Sequence, residues 1–182
     1  MAQRSVAMSS VSLKDNRQVT IRPLAESDRT ALTDFGLSLP KDDLLYLEED
    51  FTNPEIITRL VNASYAENWR QIVAIADDGS IAAYASARRV PGWSNHVAEL
   101  RLLVKPGWRR CGLGMQMAQA IVETARDLGA QKVTVAMLAA LKAGQAIFSR
   151  LGFAVEGQLT RHAIDRNGEL HDVVIMSAFL KV

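Results

Sequence analysis

The residues best suited to chemistry lie together, between Val104 and Met115: Arg109 and Arg110, then Cys111, Gly112, Leu113 and Gly114. An apolar-alternating run from Ala98 to Val104 precedes them and reads as a strand. A run from Met115 to Leu128 follows and reads as an amphipathic helix. A strand that ends in a turn at a helix N-terminus aims several unbonded N–H groups at one point. The aligned peptide dipoles add partial positive charge there. The preferred occupant is an anion, most often a phosphate. Gly112 and Gly114 let the backbone come close to it, and the two guanidiniums can pair with its oxygens. The bland alternative is a capped helix with a solvated basic turn.

The turn is not a P-loop, because no Lys-Ser/Thr follows its glycines. It is not the dinucleotide fingerprint either, because Gln116 and Met117 follow Gly114 and the third glycine is missing. Arg109-x-x-Gly112-x-Gly114 after a strand ending in Val104 resembles the acetyl-coenzyme A signature of the GNAT N-acetyltransferases. Phe148-x-x-Leu151-Gly152-Phe153 and the closing stretches Glu156–Leu159, Asp165–Gly168 and His171-Asp172 are similar to that family too. The resemblance runs from about Val19 to the C-terminus. It implies that Arg109, Arg110, Cys111, Gly112, Leu113, Gly114 and Met115 hold the diphosphate of acetyl-CoA. It also implies an α/β fold, with a mixed twisted sheet of about seven strands and helices on both faces. Two adjacent parallel strands would splay, and the pantetheine arm would lie in the gap. Pantetheine carries two amides, which main-chain groups of Leu102, Leu103 and Val104 would pair as an added strand does. A nearby backbone N–H would stabilise the oxyanion formed on attack at the thioester.

The implied activity is direct transfer of an acetyl group to a primary amine, since no activated nucleophile is evident apart from Cys111. The alternative is a non-catalytic acyl-CoA-binding sensor. Two departures from the family's pattern keep it open: Leu141 stands where an asparagine often starts the last helix, and Phe148 where a tyrosine is often proposed as the acid. Phenylalanine has no proton to give. A thiol pKa near 8.5 makes the departing thiolate an undemanding base, so water, or Ser149 by a poorer route, would protonate it. The attacking amine is harder. Freeing a lysine amine at pH 7 costs about 4.6 kcal/mol, and an α-amino group about 1–1.4 kcal/mol. Glu99 is the candidate general base: strand alternation puts Ala98, Leu100, Leu102 and Val104 on one face and Glu99, Arg101 and Leu103 on the other. Pairing with Arg101 would instead make Glu99 a structural carboxylate of lowered basicity.

The 182 residues suit one domain with a full core, read here as a flexible polar leader over residues 1–18 and a single domain over 19–182. A net charge of +1 gives no case for nucleic acid. No apolar run approaches the roughly 20 residues that span a bilayer, so no membrane association is expected. Cys111 is the only cysteine, which agrees with a reducing, cytoplasmic setting. His96, His162 and His171 lack metal-ligand spacing, so no metal is expected. Trp69, Trp93 and Trp108 read as packing residues, Trp108 also shielding the turn.

The elements expected to position the site follow in order. Val19–Pro23 is a short strand. Ser27 or Asp28 caps a helix carrying Ala31, Leu32 and Phe35. Lys41–Asp43 opens a possible second helix, and Glu48-Glu49-Asp50 forms an acidic trio. Asn53-Pro54 starts a helix whose stripe is Ile56, Ile57, Leu60, Val61 and Tyr65. Gln71–Ala76 and Ile81–Ala87 form a hairpin, its second strand so rich in small residues that something must pack closely on it. Gly129 closes the helix after the turn. Lys132–Met137 is a strand, Leu141–Leu151 a helix, and Val155–Ile164 with Leu170–Leu180 a hairpin around Asn167-Gly168. Two chains pairing through that hairpin, as a homodimer, would cover a sheet edge.

Overall fold

Ile81 to Ala87 are all buried, and alanines at 82, 83, 85 and 87 leave room for elements on either side of this strand. The computed structural model describes residues 8–41, 50–63, 66–165 and 167–181. Its strands are β1 (Ser9–Ser12), β2 (Gln18–Pro23), β3 (Trp69–Ala76), β4 (Ile81–Arg89), β5 (Val97–Val104), β6 (Lys132–Leu138), β7 (Ala154–Ile164) and β8 (Leu170–Phe179). Its helices are α1 (Arg29–Ser38), α2 (Pro54–Ala63), α3 (Leu113–Asp127) and α4 (Lys142–Arg150). The strands make one sheet in the order β1-β2-β3-β4-β5-β6-β8-β7. Every neighbouring pair is antiparallel except β5 with β6.

Two apolar layers cover the two faces. On one, Leu113, Met117, Ala118, Ile121 and Ala125 of α3 pack on the β4 alanines, Ala98 and Leu100. This is the close packing that the small residues of β4 foretell. On the other, Leu32 and Phe35 of α1 and Ile57, Leu60 and Val61 of α2 pack on Val73, Tyr84 and Leu103. Phe51 joins them, its ring edge-on to Tyr84 at 4.9 Å. Gly36 makes that approach possible, because a Cβ there would stand 2.6 Å from the Phe51 Cβ.

Several expectations need correction. The eighth strand, β1, comes from the stretch read as a leader: Ser9 to Ser12 pair antiparallel with Gln18 to Ile21. Serine-rich and short, it lacks the apolar alternation that marks a strand. Asp28 stands at the N-cap of α1 without capping it. Its carboxylate instead accepts from both Arg22 terminal nitrogens at 2.7 and 2.8 Å and from the Ala25 N–H at 2.8 Å. Trp93 does not pack and is 96% exposed. Asn53 does cap α2, accepting from the Glu55 N–H at 2.9 Å. Helix α3 begins at Leu113, two residues earlier than expected, because Gly112 turns left-handed at φ +92° immediately before it. Tyr65, Lys41–Asp43 beyond its first residue, and the acidic trio before Asp50 lie outside the described residues.

Strand β7 is one edge of the sheet and β1 the other. The register of β7 with β8 shifts twice, and Arg161 within β7 has φ +49°. Such irregularities oppose continuous edge pairing. Among the described residues no helix is long and apolar enough to cross a membrane.

Candidate active site

The parallel ladder between β5 and β6 runs from Val97 and Lys132 only as far as Leu100 and Val135. Beyond it, β5 stays with β4 as far as Val104 opposite Ala83. Strand β6 stays with β8 as far as Leu138 opposite Val173. The two strands therefore part, and the β6-facing edge of Arg101 to Val104 is vacated. Antiparallel main-chain groups alternate in direction. Since Val97 accepts from the Val90 N–H and Lys105 donates to the Ala82 carbonyl, the odd-numbered residues of β5 turn their groups to β4. Leu102 and Val104 turn theirs to the gap. Leu103 is the exception among the three residues expected to line it: its main chain faces β4, and its side chain lies in the α1/α2 layer.

The gap leads to the turn before α3. Arg110 at φ +61° and Gly112 at φ +92° are both left-handed. Such winding is the kind that lets successive N–H groups converge in anion-binding nests. No side chain caps α3, and its first turn holds no acid. The first intrahelical donor is Gln116, whose N–H reaches the Gly112 carbonyl at 3.2 Å. The amides of Leu113, Gly114 and Met115 precede it and so have no intrahelical acceptor. Cys111 is buried, its thiol 2.9 Å from the Trp108 carbonyl, where it acts as a small filler. The Arg109 Nε–H donates to the Val104 carbonyl at 3.0 Å, fastening the turn to the end of β5. Gly114 has a packing role: a Cβ there would lie 3.0 Å from the Ile147 Cδ1 of α4 and 3.9 Å from the Val104 Cγ2. The α3 side of the gap is thus closed by apolar groups.

Glu99 is exposed, between Arg88 on β4 and Thr134 on β6, one residue before the parallel ladder ends. It lies on the α1/α2 face, since its neighbours Ala98 and Leu100 belong to the α3 layer. The pairing with Arg101 that would have made it structural is absent from the ion pairs among the described residues. Phe148 is 3% exposed, its ring edge-on to Phe153 at 5.0 Å. It is a core residue and offers no proton. Leu141 stands at the start of α4 without capping it, and Ser149 is exposed.

Two features were not foreseen. Asp165, Glu169 and His171 converge at the β7–β8 turn. Asp165 accepts from the Asn167 and Glu169 N–H groups at 2.8 and 2.9 Å and stands 3.0 Å from the His171 Nε2. Those contacts, the histidine's first, hold its carboxyl below the usual range. They make it the organiser of that turn. The second is the tip after β1, where Lys14 and Arg17 meet the α3 turn. Asp15 and Asn16 carry turn chemistry legible in the sequence, but nothing local says where the tip docks.

Comparison with known proteins gives the family and the fold. Residues 39–153 match the Acetyltransferase (GNAT) family, and the chain belongs to that family. Among solved structures, a GNAT superfamily phosphinothricin acetyltransferase from Sinorhizobium meliloti in complex with AcCoA superposes with a TM-score of 0.76 at 18% identity, over 89% of this chain and 88% of that one. A ribosomal-protein-alanine N-acetyltransferase from Brucella melitensis gives 0.75 at 22%, over 88% and 99%. A GNAT-family acetyltransferase from Streptococcus pneumoniae gives 0.75 at 20%, over 89% and 99%. At such identities the likeness establishes the shared fold. The acceptors named for the first two neighbours differ, so the fold alone does not select one.

Proposed function

We propose that the chain is an acetyl-CoA-dependent N-acetyltransferase that moves the acetyl group directly to a primary amine. One observation carries the reading: the vacated edge of β5 runs straight into the uncapped N-terminus of α3, so an amide-lined strip and an anion cradle lie end to end. The Leu102 main-chain groups and the Val104 N–H would pair the pantetheine amides, the Val104 carbonyl being taken by Arg109. The amides of Leu113, Gly114 and Met115, with Arg109 and Arg110, would hold the diphosphate. The acceptor amine would approach on the α1/α2 face, where Glu99 would take its proton. The C–N bond forms, the C–S bond breaks, and the thiolate takes a proton from water, because Phe148 has none to give.

Calorimetry with CoA, followed by a thiol-release assay over a panel of amines, tests this. Binding with amine-dependent thiol release is expected. Binding with no release on any amine would favour the sensor reading, which Phe148 and Leu141 keep in play. With an active amine in hand, Glu99→Gln is expected to lower kcat about 100-fold near neutral pH, the usual scale for a general base. The loss should be largest at low pH, where free amine is scarcest, with CoA affinity unchanged. An unaltered pH–rate profile would remove Glu99 from the mechanism.

A further inference from the structure

We propose that Lys14, carried by the N-terminal hairpin, is an additional diphosphate-binding residue of the acyl-CoA site. The inference rests on the functional reading above and extends it to a residue outside the span that matches the family, 39–153.

The hairpin tip is fastened to the turn. The Leu13 N–H donates to the Arg17 carbonyl at 2.8 Å, and the Asn16 N–H to that of Leu13 at 3.0 Å, closing a tight loop. Leu13 is buried in the α3 layer. The Lys14 N–H donates to the Cys111 carbonyl at 3.0 Å, and the Arg17 guanidinium lies 3.9 Å above the Trp108 ring. These contacts lay the Lys14 side chain across the open face of Gly112. Its Cγ, Cε and Cδ lie 3.6, 3.7 and 3.8 Å from where a Gly112 Cβ would be, and the ammonium is one bond beyond Cε.

Asp15 forms a two-point ion pair with Arg17, at 2.9 and 2.7 Å, and neutralises it. Lys14 is exposed and has no ion pair among the described residues. Arg109 and Arg110 lie on the same turn, and the α3 dipole presents its positive end there with no acid in the first turn. A cation at a helix N-terminus is unfavourable on its own. An anion between Lys14 and the Gly112–Met115 backbone turns that repulsion into attraction on both sides.

Calorimetric titration of CoA into Lys14→Met and Lys14→Arg tests the assignment. Methionine keeps the aliphatic cover over Gly112 and removes the charge. CoA binding by Lys14→Met is expected to weaken about five- to tenfold, with a shallower dependence on salt. Lys14→Arg should stay within about twofold, and neither should move the melting temperature appreciably, since the side chain is exposed. Titration with dephospho-CoA should show the same loss. Wild-type affinity and salt dependence in Lys14→Met would overturn the proposal. A loss that disappears with dephospho-CoA would move Lys14 to the 3′-phosphate and overturn it as stated. Failure of the wild-type protein to bind CoA at all would instead overturn the functional reading beneath it.

Discussion

Asp28→Ala is expected to lower the melting temperature by about 6–12 °C, from a loss of about 3 kcal/mol. Asp28 is 5% exposed. Removing its carboxylate leaves Arg22, whose side chain is only 22% exposed, without its two-point partner, and leaves the Ala25 N–H without an acceptor. An unpaired charge at a half-buried site costs more than the ion pair contributes, so the lower end of the range for buried pairs applies. Asp28→Asn keeps an acceptor for Ala25 and should lose less. Burial alone would raise the Asp28 carboxyl. The hydrogen bond from Arg22 and that from Ala25 outweigh it, and hold the carboxyl below its ordinary value. A depressed folded pKa contributes stability above the unfolded value, near 3.9, and that contribution disappears as pH falls through the folded value. The wild-type protein should therefore lose stability below about pH 4 more steeply than Asp28→Ala. Thermal melts at pH 7 and pH 3 measure both effects, and a shift under about 2 °C at pH 7 would contradict the first.

Gly112→Val is expected to weaken CoA binding at least tenfold while leaving the protein folded. Gly112 has φ +92°, a conformation that a β-branched residue adopts only at a cost of about 1–3 kcal/mol. Room is not the obstacle, for the nearest atom to an added Cβ is the mobile Lys14 Cγ at 3.6 Å. Backbone strain is. The chain relieves it by returning to negative φ, and that rotation swings the following amides out of the cradle. Gly107→Ala is the control on the same turn: a Cβ there meets nothing within 4 Å, and its φ is not left-handed. It should bind CoA within about twofold of wild type. Calorimetry on the three proteins gives the comparison, and wild-type affinity in a folded Gly112→Val would show that the cradle does not depend on this winding.

The site's two components were legible to different degrees. The proposed anion turn reads from a few adjacent residues, because the left-handed winding at Arg110 and Gly112 is local backbone geometry. The expected start of α3 is misplaced by two residues, which follows from the left-handed Gly112. The vacated strand edge is not a local property. Strand alternation sets Leu103 apart from Leu102 and Val104, but only the ladder shows that β4 claims the main chain of Leu103 and leaves the other two to the gap. Asp28 misled for a similar reason: it has the residue type and place of a cap, but Arg22, six positions back, holds it more strongly.

The amino-acid sequence alone determined the order of elements from β2 onward, the burying faces of the main helices, the basic glycine turn and the lack of a tyrosine at Phe148. Each depends on residue types at fixed short spacings, where steric and periodic rules act without help from distant chain. Only the tertiary structure decided that β5 and β6 part after Leu100, that Glu99 stands at the foot of the opening without an ion pair among the described residues, and that Lys14 reaches a turn almost a hundred residues away. Those facts depend on which strands share hydrogen bonds and where a hairpin docks, and such contacts are selected by the packing of the whole sheet.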